Sequence, residues 1–412
     1  MNMKGRWTFM LYPVAGIVAE YNPLHKGHLY HAERARETCG AEAAVAVLSS
    51  NFVQRGEPAL LDKWTRAKTA LSCGIDMVLE LPVIFSSHNA GVFANAAVDI
   101  LAATGAVTHL SFGAENPDCL VDSIIDILLE EPEPFKLSLK KYLTAGFSYV
   151  EARARAAEEL LPGSAALLAG SNNTLALSYM MRIKKKNYPM RPVPVKRLGS
   201  AYNCAELEEI PSATAIRAAL REERRSEALL YMPAAAAGIL EDALNTGRAC
   251  VSHDTFWKLL RAVILRTKTE ELANCAEIGE GVEYKMRAAA REAKSFKEWT
   301  DACTSKRYPA GRIRRSAVHA ALGLDHWTNR AAQRLGPPYI RVLGMNEKGR
   351  ALLREMRERS ALPVVTTYGK AARVSPYAAK AARYEALACE LWEELIPNGS
   401  YGEEHKRKVI MV

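Results

Sequence analysis

Val14-Ala15-Gly16-Ile17-Val18-Ala19-Glu20-Tyr21-Asn22-Pro23-Leu24-His25-Lys26-Gly27-His28 is the stretch on which the reading of the fold turns. Its first six residues are apolar and β-compatible, bounded by Pro13 and Asn22-Pro23, the pattern of a short buried strand. Residues 24–38 hold no further proline and are rich in Leu, Ala, Glu and Arg, so a helix is expected there. His25 and His28 then stand at i and i+3 near the helix start, on one face. Gly27 between them removes a Cβ where a ligand would approach the backbone. A helix N-terminus attracts phosphate through its unpaired N–H groups and its dipole. Two imidazole donors beside it can stabilise charge growing on a phosphorus centre, which is the chemistry of nucleotidyl transfer. By itself H-x-G-H also reads as ordinary first-turn histidines. A metal site is the third reading, but no Cys or carboxylate stands nearby at a convincing ligand spacing.

Outward from this stretch, strand-like and helix-like segments alternate. Residues 43–48, 77–81 and 107–112 read as further strands, separated by helical stretches at 63–72 and 91–104. That order predicts a parallel sheet with helices on both faces, and ligands in such sheets bind beyond the carboxyl ends of the strands. His25, Ser49, Glu80 and Gly113 fall at that rim. Residues 120–161 read as helical with a break at Glu131-Pro132-Glu133-Pro134. Residues 169–173 form a turn opening a helix to Lys186, and residues 192–197 a short strand. Ser212 is well suited to cap a helix that begins after Pro211. Beyond about residue 225 strand signals become scarce, and helices dominate up to residues 335–360 and the tail at 404–412. The expected architecture is α/β: a Rossmann-like parallel-sheet domain over residues 14–225 and a mainly helical portion over 226–412.

The chain has 412 residues, 25% charged and 49% hydrophobic, as an ordinary globular protein of two or three domains has. No apolar stretch has the length of a membrane span, and the first 13 residues are too poor in hydrophobics for a signal peptide. Met10 is an alternative start. The eight cysteines are scattered without a C-x-x-C pair, so neither zinc nor a disulfide framework is indicated, and a cytoplasmic protein is expected. Net charge is +9, and residues 281–360 alone carry 18 Lys and Arg against 8 Asp and Glu. A basic block on a near-neutral body suits a polyanion such as nucleic acid, or is simply an Arg-rich solvated surface.

Four separated pieces form one pattern: residues 20–28, Gln54-Arg55-Gly56-Glu57-Pro58, Phe112-Gly113-Ala114-Glu115-Asn116, and Pro211-Ser212-Ala213-Thr214-Ala215-Ile216-Arg217. The first and last resemble the H-x-G-H and I-S-S-T-x-I-R signatures of the nucleotidyltransferase superfamily. With Ser171-Asn172-Asn173-Thr174-Leu175 and Lys196-Arg197-Leu198-Gly199, the whole resembles the bacterial tRNA(Met) cytidine acetate ligase family, from about Ala15 to the C-terminus.

The resemblance implies a ligase that uses ATP to activate acetate as acetyl-adenylate, then acetylates N4 of the wobble cytidine of elongator tRNA(Met). It implies an ATP loop of Val18, Ala19, Glu20, Tyr21, Asn22, Pro23, Leu24, His25, Lys26, Gly27, His28, Leu29, Tyr30 and His31, with His25 and His28 catalytic. Gly113, Asn172 and Arg197 would complete the ATP site. Local evidence alone reads Gly113 as a strand-end turn and Asn172 as a helix cap, with Asn173 adjacent as a competitor. Ser212, Thr214 and Arg217 would meet the β- and γ-phosphates; otherwise they are a cap and a surface arginine. Pro211 and Ala213 depart from I-S-S-T and remove a hydroxyl at each of two positions. Mg²⁺ is expected with ATP, with no protein metal ligands assignable.

Lys306, Arg307, Arg312, Arg314 and Arg315 form the strongest basic cluster and are expected to contact tRNA phosphates. Tyr308 among them reads as a stacking platform or a core residue. Arg55 and residues 63–66 lie either near the acetate or tRNA end of the site, or on an ordinary amphipathic helix. His88, His109, His253, His319 and His405 are expected to be structural. Nothing points to a stable protein partner. Two other functions share parts of the pattern: a small-molecule adenylyltransferase of the cofactor-synthesis type, and a nucleotide-binding RNA-interaction protein without turnover.

Overall fold

The computed structural model describes residues 12–119, 122–197 and 212–412. Its strands are β1 (Val14–Ala19), β2 (Ala43–Ser49), β3 (Phe52–Val53), β4 (Glu57–Pro58), β5 (Met77–Leu81), β6 (His109–Ala114), β7 (Arg191–Lys196), β8 (Ile340–Met345), β9 (Val364–Val365) and β10 (Ile410–Met411). The main sheet runs β10-β8-β5-β2-β1-β6-β7, with β9 on β8, and β3–β4 is a separate hairpin. β1, β2, β5, β6 and β7 are parallel, with Val14 opposite Ala43 and Ala15 opposite His109.

Side chains alternate between the two faces of a strand, and here both faces are covered. Val45, Val47, Met77 and Leu79 join one core, which includes the buried side of the helix Ala90–Ala103. Ala44, Ala46, Leu48 and Val78 join the other, with residues of the helices Lys26–Cys39 and Lys63–Ser72. β6 is displaced two residues from the expected 107–112. The first helix begins at Lys26, because His25 is extended (φ −130°, ψ 174°) and caps it.

The sheet does not end near residue 225. β8 adds antiparallel to β5, and β10 lies on its outer side, so the C-terminal portion supplies one edge of a mixed, mostly parallel sheet. A wholly buried ionic cluster fastens the two portions. Lys63 Nζ lies 2.6 Å from Glu80, 2.7 Å from Glu385 and 2.8 Å from Glu404, and Arg341 of β8 pairs with Glu80 and Glu404. Of residues 63–66, Lys63, Trp64 and Arg66 are interior rather than on a solvated helix face, with Lys63 held in ion pairs.

The order β5-β2-β1-β6-β7 fixes the functional rim. The chain builds outward from β1 through β2 to β5, then crosses back to lay β6 and β7 on the opposite side of β1. The reversal opens a crevice at the carboxyl ends of β1 and β6, the expected ligand position in such a sheet.

Candidate active site

Immediately after β1 the chain turns sharply. Tyr21 adopts a left-handed conformation (φ 46°), unfavourable for a bulky L-residue by about 1–2 kcal/mol. Burial holds it there, its ring edge-on to His28 at 5.1 Å. Gly27 N then donates to His25 Nδ1 (3.1 Å) and His25 N donates to His28 Nδ1 (3.2 Å), a reciprocal capping box made by two histidines.

This cap decides the chemistry of both rings. An Nδ1 that accepts a hydrogen bond carries no proton, so each neutral imidazole must hold its proton on Nε2. Burial, then the charge of Arg197, pushes His25 down to about 3. His28 is pushed well below the ordinary range by burial, then by His25, Arg197 and His31. Burial and Arg197 bring His31 to about 4. Both capping rings are therefore neutral near pH 7, their centroids 3.8 Å apart, each with one Nε2–H donor that the cap does not use. Such donors suit an oxygen on which negative charge develops.

The cleft around them encloses, with the solvent at its mouth, about 1290 Å³, ample for a nucleoside triphosphate. Val18, Ala19, Glu20, Tyr21, Asn22, His25, Gly27, His28, Tyr30 and His31 line its first wall. Pro23, Leu24, Lys26 and Leu29 do not: Pro23 and Leu24 are buried behind it, Lys26 is exposed, and Leu29 faces a separate surface hollow. His31 Nε2 lies 3.1 Å from Ser111 Oγ on β6.

Gly113, Asn172 and Arg197 line the opposite wall, with Phe93, Phe112 and Tyr179 supplying apolar surface. A Cβ on Gly113 would come within 3.1 Å of the Arg197 side chain, which would have to give by a few tenths of an ångström to admit it. Asn172 Nδ2 donates to Glu115 Oε1 (2.8 Å) and its Oδ1 accepts from Arg197 (3.2 Å), which holds the amide against the cleft. Asn173 is spent elsewhere, accepting from Glu115 N at 3.0 Å, and is not in the lining. The choice between the two asparagines falls to Asn172.

At the third side, Thr214 and Arg217 of the helix Ala213–Arg221 line the cleft, whereas Ser212 is buried and its Oγ accepts from Ala215 N as the helix cap. Arg217 donates to Asn22 O (2.6 Å) and pairs with Glu57 at 2.9 Å. Gln54 and Arg55 of the β3–β4 turn complete the wall. Arg66, read from the sequence only as part of the 63–66 stretch with no role of its own, is a keystone behind it. It donates to Glu20 O (2.7 Å), Ser49 Oγ (3.1 Å), Ser50 O (2.6 Å) and Leu61 O (2.9 Å), tying the loops after β1 and β2 together. Its sequence signal, an arginine in a short helix, is indistinguishable from a surface charge. Glu115, the partner of Asn172, was visible in the Phe112–Asn116 motif but carried no assigned role.

The basic cluster lies outside the cleft and is largely engaged. Arg307 pairs with Glu280 (2.8 Å) yet stays mostly exposed. Arg315 pairs with Glu277 (3.4 Å), and Arg314 donates to Arg55 O (3.2 Å). Arg312 lies over the Tyr308 ring at 4.3 Å, and Lys306 is exposed. Tyr308 is a core residue whose hydroxyl donates to Gly279 O at 2.6 Å, so it offers no stacking face. Among the described residues, no three His, Cys, Asp or Glu side chains gather to hold a metal ion, and no helix is long and apolar enough to cross a membrane.

The family model for HIGH Nucleotidyl Transferase matches residues 12–407. The chain belongs to this family. Within it, the tRNA(Met) cytidine acetate ligase of Thermoanaerobacter sp. (strain X514) is 38% identical over 357 residues, covering 86% of this chain and 88% of that protein. That of Clostridium acetobutylicum is 33% identical over 410 residues, covering 97% and 100%. The crystal structure of apo Thermotoga maritima TmcAL superposes with a TM-score of 0.93 at 31% identity, over 97% of this chain and 99% of that one. The same protein bound to α-thio ATP superposes at 0.91 and 32% identity, with the same coverage. Likeness over essentially the whole length of family members extends to the helical C-terminal portion as well as the cleft.

Proposed function

We propose that this chain is an ATP-dependent tRNA(Met) cytidine acetate ligase: it activates acetate as acetyl-adenylate and acetylates N4 of the wobble cytidine of elongator tRNA(Met). The observation that carries the reading is the capping box of His25 and His28. It turns two neutral imidazoles into paired Nε2–H donors at a helix N-terminus on the switch point of the sheet. Full-length similarity to ligases of this name supplies the acceptor.

In this reading ATP lies with its base toward Gly113, Asn172 and Arg197 and its triphosphate across the first turn of the Lys26–Cys39 helix. An acetate oxygen attacks the α-phosphorus, pyrophosphate leaves, and His25 and His28 donate to the oxygens that gain charge. Thr214 and the N-terminus of the Ala213–Arg221 helix hold the departing phosphates, and Arg217 joins them when it exchanges Glu57 for phosphate. Ser212 contributes through the cap rather than its hydroxyl. The cytidine N4 lone pair then attacks the acetyl carbon, AMP departs, and the nitrogen loses a proton. Mg²⁺ belongs to this reading as a counter-ion carried by the triphosphate; among the described residues no three His, Cys, Asp or Glu side chains gather to hold it.

Residues 14–225 carry activation, and residues 226–412 carry tRNA binding through Lys306 and Arg307 and the cationic surface around them. Labelled acetate, ATP, Mg²⁺ and elongator tRNA(Met) incubated with the protein should give labelled N4-acetylcytidine after digestion to nucleosides, and none when ATP is omitted. Absence of both acetyl-adenylate and acetylated tRNA from folded, ATP-binding protein would sink the reading.

A further inference from the structure

The helix His326–Leu335 has two unlike faces. Thr328, Asn329 and Ala332 are buried, and Asn329 Oδ1 lies 2.9 Å from His88 Nε2. On the other side Trp327 is 76% exposed, with Arg330 one turn and Arg334 two turns further along the same face. The helix contains no acidic residue, and among the described residues neither Arg330 nor Arg334 has an ion-pair partner. The capping Asp325 accepts from Thr328 N (2.7 Å) and its other oxygen lies 3.7 Å from Lys380, so the carboxylate beside the Trp327 turn is already paired. This contrasts with Arg307, Arg312, Arg314 and Arg315, each already held by a carboxylate, a ring or a carbonyl.

An indole left in water forfeits a large apolar burial, and the charges set around this one decide what can cover it. A face bearing an exposed aromatic ring followed by two guanidinium groups, its nearest carboxylate already paired with Lys380, is complementary to single-stranded nucleic acid. Bases stack on aromatic rings and phosphates pair with guanidinium groups. A chain of contacts links the face to the cleft. Asn329 meets His88, His88 lies 3.5 Å from Glu277, Glu277 pairs with Arg315, and the neighbouring Arg314 holds the carbonyl of the cleft residue Arg55.

We propose that Trp327, Arg330 and Arg334 form an RNA-docking surface, the indole stacking on an unpaired base of the bound tRNA and the two arginines pairing with its phosphates. The proposal rests on the ligase reading for the identity of the RNA.

Elongator tRNA(Met) is titrated into the full-length protein while tryptophan emission and binding are followed at several salt concentrations. Of the six tryptophans Trp64, Trp257, Trp299 and Trp392 are buried and Trp7 lies outside the described residues, so the quenching assigned to stacking on Trp327 is the part that vanishes in Trp327→Phe. Trp327→Ala should weaken tRNA binding about tenfold or more with an unchanged salt dependence, because stacking releases no counter-ion. Trp327→Phe should recover most of that affinity. Arg330→Gln with Arg334→Gln should lower the slope of log affinity against log salt by about 1.4. Acetate-dependent ATP–pyrophosphate exchange should be unchanged in every variant. Equal tRNA affinity and quenching in wild type and Trp327→Phe and Trp327→Ala overturns the proposal. So does a Trp327→Ala variant that binds tRNA normally but changes from dimer to monomer by light scattering, which would make the face a contact between copies. A wild-type protein that shows exchange but neither binds nor acetylates this tRNA overturns the ligase reading, and this proposal with it.

Discussion

At the scale of single residues, His25 and His28 are bound to the backbone through Nδ1, and the proposed mechanism uses their Nε2–H groups. His28→Ala should cost only about 1 kcal/mol of stability as a lost cap. The same change should lower acetate-dependent exchange about 10²–10³-fold through the lost donor; unchanged exchange would remove His28 from catalysis. Burial of neutral imidazoles also sets an acid limit. His25 lies near 3, and His31, His88 and His253 near 4, against an ordinary 6.5. Their contribution is complete above 6.5 and is lost as pH falls from 6.5 toward 4, because only the unfolded chain takes up protons there. Each ring withdraws up to about 1.4 kcal/mol per pH unit. Glu80, pushed up to about 7 by burial, acts in the opposite direction, but it is one group against four. Tm measured by calorimetry should therefore drop steeply between pH 6.5 and 5; a flat profile would refute the neutral-histidine site.

Among elements, the β3–β4 hairpin joins the cleft to the basic helix Ala310–Leu322. Gly56 has φ 76°, and a Cβ there would lie 2.3 Å from Arg315 N and 2.4 Å from the Arg314 carbonyl carbon. Both contacts are backbone and cannot be relieved by a rotamer. Gly56→Ala should destabilise the protein by about 1–3 kcal/mol in urea unfolding. It should also reduce exchange, since the same turn positions Gln54 and Arg55. Wild-type stability in that variant would show that the hairpin and helix are not packed as described. The helix Ala213–Arg221 was legible from its cap Ser212 and the first helix from its proline-free run rich in Leu, Ala, Glu and Arg, whereas the capping role of His25 was not. Local hydrogen bonding fixes such starts within a few residues of chain. β8 was harder to see: Arg341 and Gly344 interrupt its apolar run, and its partner β5 lies more than 250 residues earlier in the chain.

For the whole molecule, the buried cluster of Lys63, Arg341, Glu80, Glu385 and Glu404 holds the C-terminal portion against the sheet. Lys63→Met removes one of two cations facing three carboxylates and should cost about 3–5 kcal/mol. Denaturant unfolding measures it, and a neutral result would mean the cluster contributes no net attraction. Arg314 and Arg315 are tied to Arg55 and Glu277, so charge reversal at Arg314 should disturb both exchange and tRNA binding. Lys306→Glu with Arg307→Glu should weaken tRNA binding alone, in filter-binding and exchange assays run side by side. Equal loss of exchange in the two cases would show that the cluster does not divide into structural and tRNA-facing members.

Sequence by itself determined the strand–turn–helix around H-x-G-H, the alternation that makes the parallel sheet, and the order of motifs that places the chain in its family. Those features are local: periodicity, caps and turns act within one or two elements. Tertiary structure alone decided which face of each motif is used. Asn172 rather than Asn173 meets the cleft because Glu115 claims each through a different atom. Ser212 is spent on its cap, Arg66 disappears inward to bind loops from two strands, and two of the five basic-cluster residues pair with Glu277 and Glu280. Each of these depends on a partner distant in the chain. Burial and pairing of charged groups are set by such partners, and no local pattern of residues records them.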